Sequence, residues 1–134
     1  MKVLDATYLI DYLDGLEATR KFYEESGGAD IRWVMPVPTF AEALIGEGNR
    51  PNGDIASARA ALAWGEVYEI GEQTAVTAAK IADEIGPGGP YLDSPYALVA
   101  AVGRELNAPV VSADRDLTHP ETQTVVDVED YSDH

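Results

Sequence analysis

Lys2-Val3-Leu4-Asp5-Ala6-Thr7-Tyr8-Leu9-Ile10-Asp11-Tyr12-Leu13 is the stretch that sets the pattern of the whole chain. Lys2 to Asp5 is a short apolar run and reads as a first strand. From Thr7 to Leu13, the apolar residues Leu9, Ile10 and Leu13 fall at helical spacing, and Asp14-Gly15 ends the helix. A strand that passes directly into a helix, with an acid at the junction, is the start of an α/β unit.

The same alternation continues outward. Glu17 to Glu25 reads as a second helix, closed by Ser26-Gly27-Gly28, and Ile31 to Val37 as strand two. Pro38-Thr39 opens a helix over Phe40 to Ile45, where Thr39-Phe40-Ala41-Glu42 fits a capping box. Gly46 to Gly53 reads as a loop, and Asp54 begins an Ala-rich helix that runs to Trp64. A short strand over Glu66 to Ile70 and a helix over Gln73 to Ile85 follow. Gly86-Pro87-Gly88-Gly89-Pro90 is a break. Ser94-Pro95 starts the most apolar helix, Tyr96 to Leu106. Pro109 to Ala113 reads as a buried strand, Thr124 to Val128 as the last strand, and the acidic tail 129–134 is expected to fray. Strands alternating with helices predict a single α/β domain over residues 1–134, a three-layer α/β/α sandwich around a central parallel sheet of about five strands.

Composition narrows the class. The chain has 134 residues, 46% of them apolar, enough for a proper core. It has no cysteine, which excludes disulfides, thiolate metal sites and thiol nucleophiles. Its apolar stretches are broken well short of the ~18–20 residues a membrane span needs, so no membrane partner is expected. Asp5 stands where a signal peptide would continue its apolar core, and a cytoplasmic location is expected. The 24 acids against 9 cations give a charge of −15, and only Lys2, Lys21 and Lys80 are lysines. Such a surface suits concentrated salt, where the Debye length falls to ~3 Å at 1 M and self-repulsion is screened. The expected source is halophilic, and the acidity reports the solvent more than the substrate.

In open parallel sheets, ligands sit outside the carboxyl ends of the strands. Asp5 ends strand one, and Glu42 lies on the first turn or so after strand two. Asp93 heads the apolar helix. Asp114 follows the Pro109–Ala113 strand, and Asp116 is two residues on. Carboxylates packed at one edge raise one another's pKa unless a cation neutralises them. Hard oxygen ligands without Cys or a His pair select Mg²⁺ or Mn²⁺, and such a site can activate water for in-line phosphoryl displacement. Each acid also has a purely structural reading. Asp5 and Asp93 could cap helices, Glu42 could be the return arm of the capping box, and Asp114 and Asp116 could be turn residues.

Four segments carry a resemblance. Val3-Leu4-Asp5-Ala6-Thr7-Tyr8-Leu9-Ile10 resembles the opening motif of PIN-domain ribonucleases: an Asp, a spacer, a Ser or Thr, then two apolar residues. Thr39-Phe40-Ala41-Glu42-Ala43-Leu44 resembles their second motif, around a Glu. Leu92-Asp93 with Tyr96-Ala97-Leu98-Val99-Ala100-Ala101 resembles the third, and Val110-Val111-Ser112-Ala113-Asp114-Arg115-Asp116-Leu117 the fourth. Their order, spacing and total length resemble the small VapC-type toxins, and the acidic, Lys-poor composition makes a halophilic archaeon the expected source. The resemblance implies a Mg²⁺- or Mn²⁺-dependent endoribonuclease that cleaves single-stranded or loop RNA and pairs with a VapB-type antitoxin. It carries Asp5, Glu42, Asp93 and Asp114 over as the catalytic and metal-holding quartet, with Asp116 as an accessory acid and Thr7 and Ser112 as hydroxyls that orient them. Ser112 stands where Thr is commoner and Leu117 where Phe is commoner, and Ser94-Pro95 after Asp93 is less usual.

Other residues carry weaker expectations. Arg115 and Arg104 could meet RNA phosphates or simply be solvated, and Tyr8 and Tyr96 could stack on bases or pack in the core. Trp33 and Trp64 read as core or dimer contacts, and His119 as a surface residue. Apolar helices after the first strand would suit a homodimer or an antitoxin helix in a groove. Three rival functions stand beside the nuclease. One is a catalytically degenerate PIN-like interaction protein. A second is a Mg-dependent phosphatase of haloacid dehalogenase type, which would want an acid at position 7, where Thr stands. The third is a receiver-like phospho-acceptor, which would want a Lys after a late strand.

Overall fold

A computed structural model describes all 134 residues of the chain. Five short strands form one all-parallel sheet: β1 (Lys2–Leu4), β2 (Trp33–Pro36), β3 (Glu66–Tyr68), β4 (Val110–Ser112) and β5 (Val128–Asp130), in the spatial order β3-β2-β1-β4-β5. Seven helices surround it: α1 (Ala6–Leu13), α2 (Glu17–Glu25), α3 (Val37–Gly48), α4 (Ile55–Ala61), α5 (Glu72–Ile85), α6 (Ser94–Leu106) and α7 (Pro120–Gln123).

Side chains alternate across the strands, and this creates two cores. Val3, Val34, Val110 and Val128 face one way, onto α5 and α6 through Ile81, Ile85, Val99 and Val102. Leu4, Trp33, Met35 and Val111 face the other way, onto Tyr8, Leu9, Phe22 and Ala43 from α1, α2 and α3. The sheet is covered on both faces, as a parallel sheet requires. The expected three-layer α/β/α architecture is the one observed.

The order of the sheet positions the site. The chain leaves β1 towards β2 on one side and returns to β4 on the other, so β1 and β4 flank a topological switch point. Val3 is in register with Val110 and Leu4 with Val111, and the Asp5 N–H donates to the Val111 carbonyl at 3.0 Å. The residues that follow β1 and β4 therefore emerge side by side.

Four local expectations are corrected. The capping box at Thr39 does not form. α3 starts at Val37 with Pro36 as N-cap, since Pro38 is well tolerated in a first turn, and Thr39 lies inside the helix. Its hydroxyl donates to the carbonyls of Pro36 at 2.9 Å and Leu4 at 3.2 Å, tying α3 to the end of β1. Nor is Gly46 the start of a loop: α3 runs on to Gly48, at a cost of roughly 1 kcal/mol for each helical glycine. The last strand lies at Val128–Asp130, because Pro120–Gln123 forms α7 and the amides of Val125 and Val126 turn back onto the Thr122 carbonyl. The tail over 129–134 is consequently not frayed throughout: Glu129 pairs with Lys2, and Tyr131 is completely buried.

Candidate functional site

Asp5 is the centre of the site. It is completely buried, an unusual place for a carboxylate. Its Oδ2 accepts the Thr7 hydroxyl at 2.9 Å and the Ser112 hydroxyl at 2.7 Å. Each hydroxyl is itself fixed by a backbone amide: Ala113 N–H donates to Thr7 Oγ1 at 3.2 Å, and Asp114 N–H donates to Ser112 Oγ at 3.0 Å. Asp5 Oδ1 is buried with no hydrogen-bond partner. A buried, unpaired carboxylate oxygen is costly, and a cation is one of the few things that would satisfy it. Burial pushes the Asp5 carboxyl above its ordinary range, against the pull of Ser112, Thr7 and the Ala6 amide, and the charge of Asp114 adds to the rise.

Asp114 follows β4 and is half-buried. Its Oδ2 accepts the backbone amides of Asp116 at 3.0 Å and Leu117 at 3.1 Å, which folds the chain into a turn and fixes the carboxylate. Glu42 stands on α3, free of the capping duty that sequence reading allowed it. It is exposed, yet nearby protein still excludes enough water to raise its pKa, and the charge of Asp5 raises it further. Tyr96, on the first turn of α6, closes the group. Its phenol is pushed up to about 12, by burial first and then by the charges of Asp114, Asp5 and Glu42. Three acids and one phenol, brought together by the ends of β1 and β4 and by α3 and α6, thus share one electrostatic field.

The structure places the remaining candidates unevenly. Asp93 is the N-cap of α6 without making a side-chain cap bond, and it is exposed. No three His, Asp or Glu side chains are drawn into metal-holding geometry. Asp116 is exposed beside Asp114, and its carbonyl accepts the Thr122 hydroxyl at 2.6 Å. Arg115 is exposed and makes no ion pair. Arg104 lies in the last turn of α6, where it is engaged by Glu84 at 2.8 and 2.9 Å and by the Val125 carbonyl at 2.8 Å. Tyr8 takes the second of its two expected places, the core: it is completely buried, and its hydroxyl donates to the Thr19 carbonyl at 2.6 Å. Trp33 is buried, with its indole N–H on the Gly28 carbonyl, and packs edge-on to Trp64 at 6.2 Å. His119 is exposed, and its Nδ1 caps α7 by accepting the Glu121 amide at 3.0 Å.

One link escaped the sequence reading. The Tyr131 hydroxyl, from the segment after β5, donates to Asp11 Oδ2 on α1 at 2.5 Å. No local signal pairs residues 120 positions apart.

The donor set suits a hard divalent cation. All the candidate ligands are carboxylate oxygens, no thiolate is present, and Asp5 offers an unpaired oxygen at the switch point.

A doubly covered parallel sheet with carboxylates at its switch point defines a class, and the comparisons identify which. Residues 2–122 match the PIN domain family, and the chain belongs to it. No curated protein sequence matches it. Solved structures share the fold at low identity. A toxin–antitoxin complex from Klebsiella pneumoniae has a chain that superposes with a TM-score of 0.76 at 16% identity, over 96% of each chain. FitAcB from Neisseria gonorrhoeae gives 0.77 at 17% identity, over 98% of each chain. VapBC-1 from nontypeable Haemophilus influenzae gives 0.76 at 20% identity, over 98% of each chain.

Proposed function

We propose that this protein is a Mg²⁺- or Mn²⁺-dependent endoribonuclease, the toxin of a VapBC-type pair, with single-stranded or loop RNA as substrate and a VapB-type antitoxin as partner. The observation that carries the reading is Asp5 Oδ1: a buried carboxylate oxygen without a partner, at the edge where the sheet's topology switches. Asp5, Asp114 and Glu42 would hold the cation, with Asp93 approaching from the head of α6. A divalent ion there would supply a Lewis acid and lower the pKa of bound water. The chain's own part is positional. Ser112 and Thr7 hold Asp5 with Oδ2 occupied and Oδ1 free. The turn amides of Asp116 and Leu117 hold Asp114. Tyr96 remains a neutral phenol at pH 7, able to donate a hydrogen bond towards a phosphate oxygen.

The antitoxin partnership draws support from solved toxin–antitoxin complexes with this fold, and a homodimer agrees with several exposed apolar side chains, among them Ile45 and Ile55. No helix is long and apolar enough to cross a membrane, which agrees with work in the cytoplasm. The charge of −15 supports a halophilic archaeal setting. The phosphatase reading loses ground at position 7, where the Thr7 hydroxyl is committed to Asp5 and the Ala113 amide. The open spacing of the acids favours one second reading, an interaction-only PIN domain. Incubation with a labelled single-stranded RNA in molar KCl separates them. Cleavage with Mn²⁺ that stops in EDTA supports the nuclease; intact RNA at every metal concentration selects the interaction-only domain.

A further inference from the structure

Tyr91 is 85% exposed, more than any other large apolar side chain in the molecule. A tyrosine so displayed forgoes the burial that makes the residue valuable in a core. It is also not on a loose tip. On its C-terminal side Leu92 is buried in the core between the sheet and α5 and α6. On its N-terminal side a Cβ on Gly89 would collide with Ile85 Cγ2 and stand 3.3 Å from Glu121 Cβ, so the loop lies flat against α5 and α7. Tyr91 is thus presented between two anchored points. It and Asp93 flank the buried Leu92, and both are exposed. Two residues of chain span at most ~7 Å, so the Tyr91 backbone lies within that distance of Asp93, the N-cap of α6, the helix that carries Tyr96 in its first turn.

On the nuclease reading, few cations are left to hold RNA phosphates. Lys2, Lys21, Arg32, Arg50 and Arg104 are already in ion pairs, and Arg115 is the only arginine or lysine beside the carboxylates in sequence. Phosphate contacts weaken steeply as salt rises, whereas stacking on an aromatic ring does not rely on charge.

We propose that Tyr91 is a stacking platform for an unpaired base of the RNA, seating the strand beside Asp93 and the site of cleavage. The inference rests on the nuclease reading. It implies that duplex RNA, whose bases are already stacked on each other, is a poor substrate.

The test uses the full chain in molar KCl with Mn²⁺ and a labelled single-stranded RNA, and reads KM and kcat separately. Tyr91→Ala should raise KM about ten-fold with little change in kcat, since stacking on one base is lost. Tyr91→Phe and Tyr91→Trp should keep KM within about two-fold, because the ring and not the hydroxyl does the stacking. An RNA carrying an abasic residue at the stacked position should show no further loss with Tyr91→Ala. Unchanged KM in Tyr91→Ala, while the wild type cleaves, overturns the platform and leaves the nuclease reading standing. Unchanged KM with an altered sedimentation coefficient overturns it in favour of a protein contact. Absence of cleavage by the wild type overturns both.

Discussion

The Ser112 hydroxyl donates to Asp5 Oδ2 at 2.7 Å, and that same Ser112 Oγ accepts the Asp114 backbone amide at 3.0 Å. One atom, completely buried at the end of β4, therefore sets both the carboxylate after β1 and the chain that carries the carboxylate after β4. The distance between the two acids is fixed by sheet register and by this hydroxyl together.

Ser112→Ala should accordingly damage both stability and activity. Asp5 Oδ2 keeps Thr7, but the Asp114 amide loses its acceptor. The expected cost is about 1–3 kcal/mol in denaturant unfolding. Activity should fall about 10–100-fold, the usual effect of removing a group that orients a metal ligand. Full activity in a folded Ser112→Ala variant would show that Asp5 is placed by Thr7 and the backbone alone.

Asp5→Asn should stabilise the metal-free protein while abolishing activity. The Asp5 pKa is raised in the fold above its ordinary 3.8, chiefly by burial. The folded state therefore holds the proton more tightly than the unfolded state does. Stability from this group is present below the ordinary value and is lost as pH rises through the folded one. An amide in its place avoids that loss. In EDTA the gain in melting temperature should grow as pH rises above about 3.8 and vanish below it. A variant that melts below the wild type at pH 7 in EDTA would contradict the account of Asp5 as a strained, unneutralised acid.

The alternation of strands and helices along the whole chain predicted the fold class, because alternation along the strands and 3.6-residue spacing in the helices are local properties of sequence. That Asp5 and Asp114 emerge side by side was also legible, since a parallel sheet puts its strand ends at one edge whatever the details. What could not be read was set at a distance. Thr39 looks like a cap from its neighbours, but besides the local Pro36 carbonyl its hydroxyl reaches the Leu4 carbonyl, 35 positions away. Arg104 looks like a free cation until Glu84 and Val125 meet it across two helices and a turn. The tail looks disordered by charge, yet Tyr131 is held by Asp11 and by the edge-on Tyr8 ring at 5.0 Å. The last strand was displaced because Val125, Val126 and Val128 all favour extended structure, and only the α7 turn decides among them.

Salt and divalent metal should both raise the melting temperature. At −15, the range of self-repulsion grows from ~3 Å in 1 M salt to ~30 Å at 0.01 M. The five ion-paired Lys and Arg side chains leave most of the 24 acids uncompensated. Melting from 0.1 to 3 M KCl should therefore show a steady rise of several degrees. Mn²⁺ should add a further increment that saturates, because it binds the folded acids and not the dispersed chain. A salt-independent melting temperature would remove the halophilic setting. A Mn²⁺ increment that persists in Asp5→Asn would place the ion away from the switch point.

The central claim is that an ion held at Asp5 makes this PIN domain a ribonuclease. The most direct measurement is the initial rate of cleavage of a labelled single-stranded RNA, titrated against free Mn²⁺ in molar KCl, for the wild type and for Asp5→Asn. The account predicts a wild-type rate that is nil in EDTA and saturates with Mn²⁺, and an Asp5→Asn rate lower by about 10²-fold or more at every concentration. Cleavage that survives in EDTA, or an Asp5→Asn curve that overlays the wild type, would contradict it.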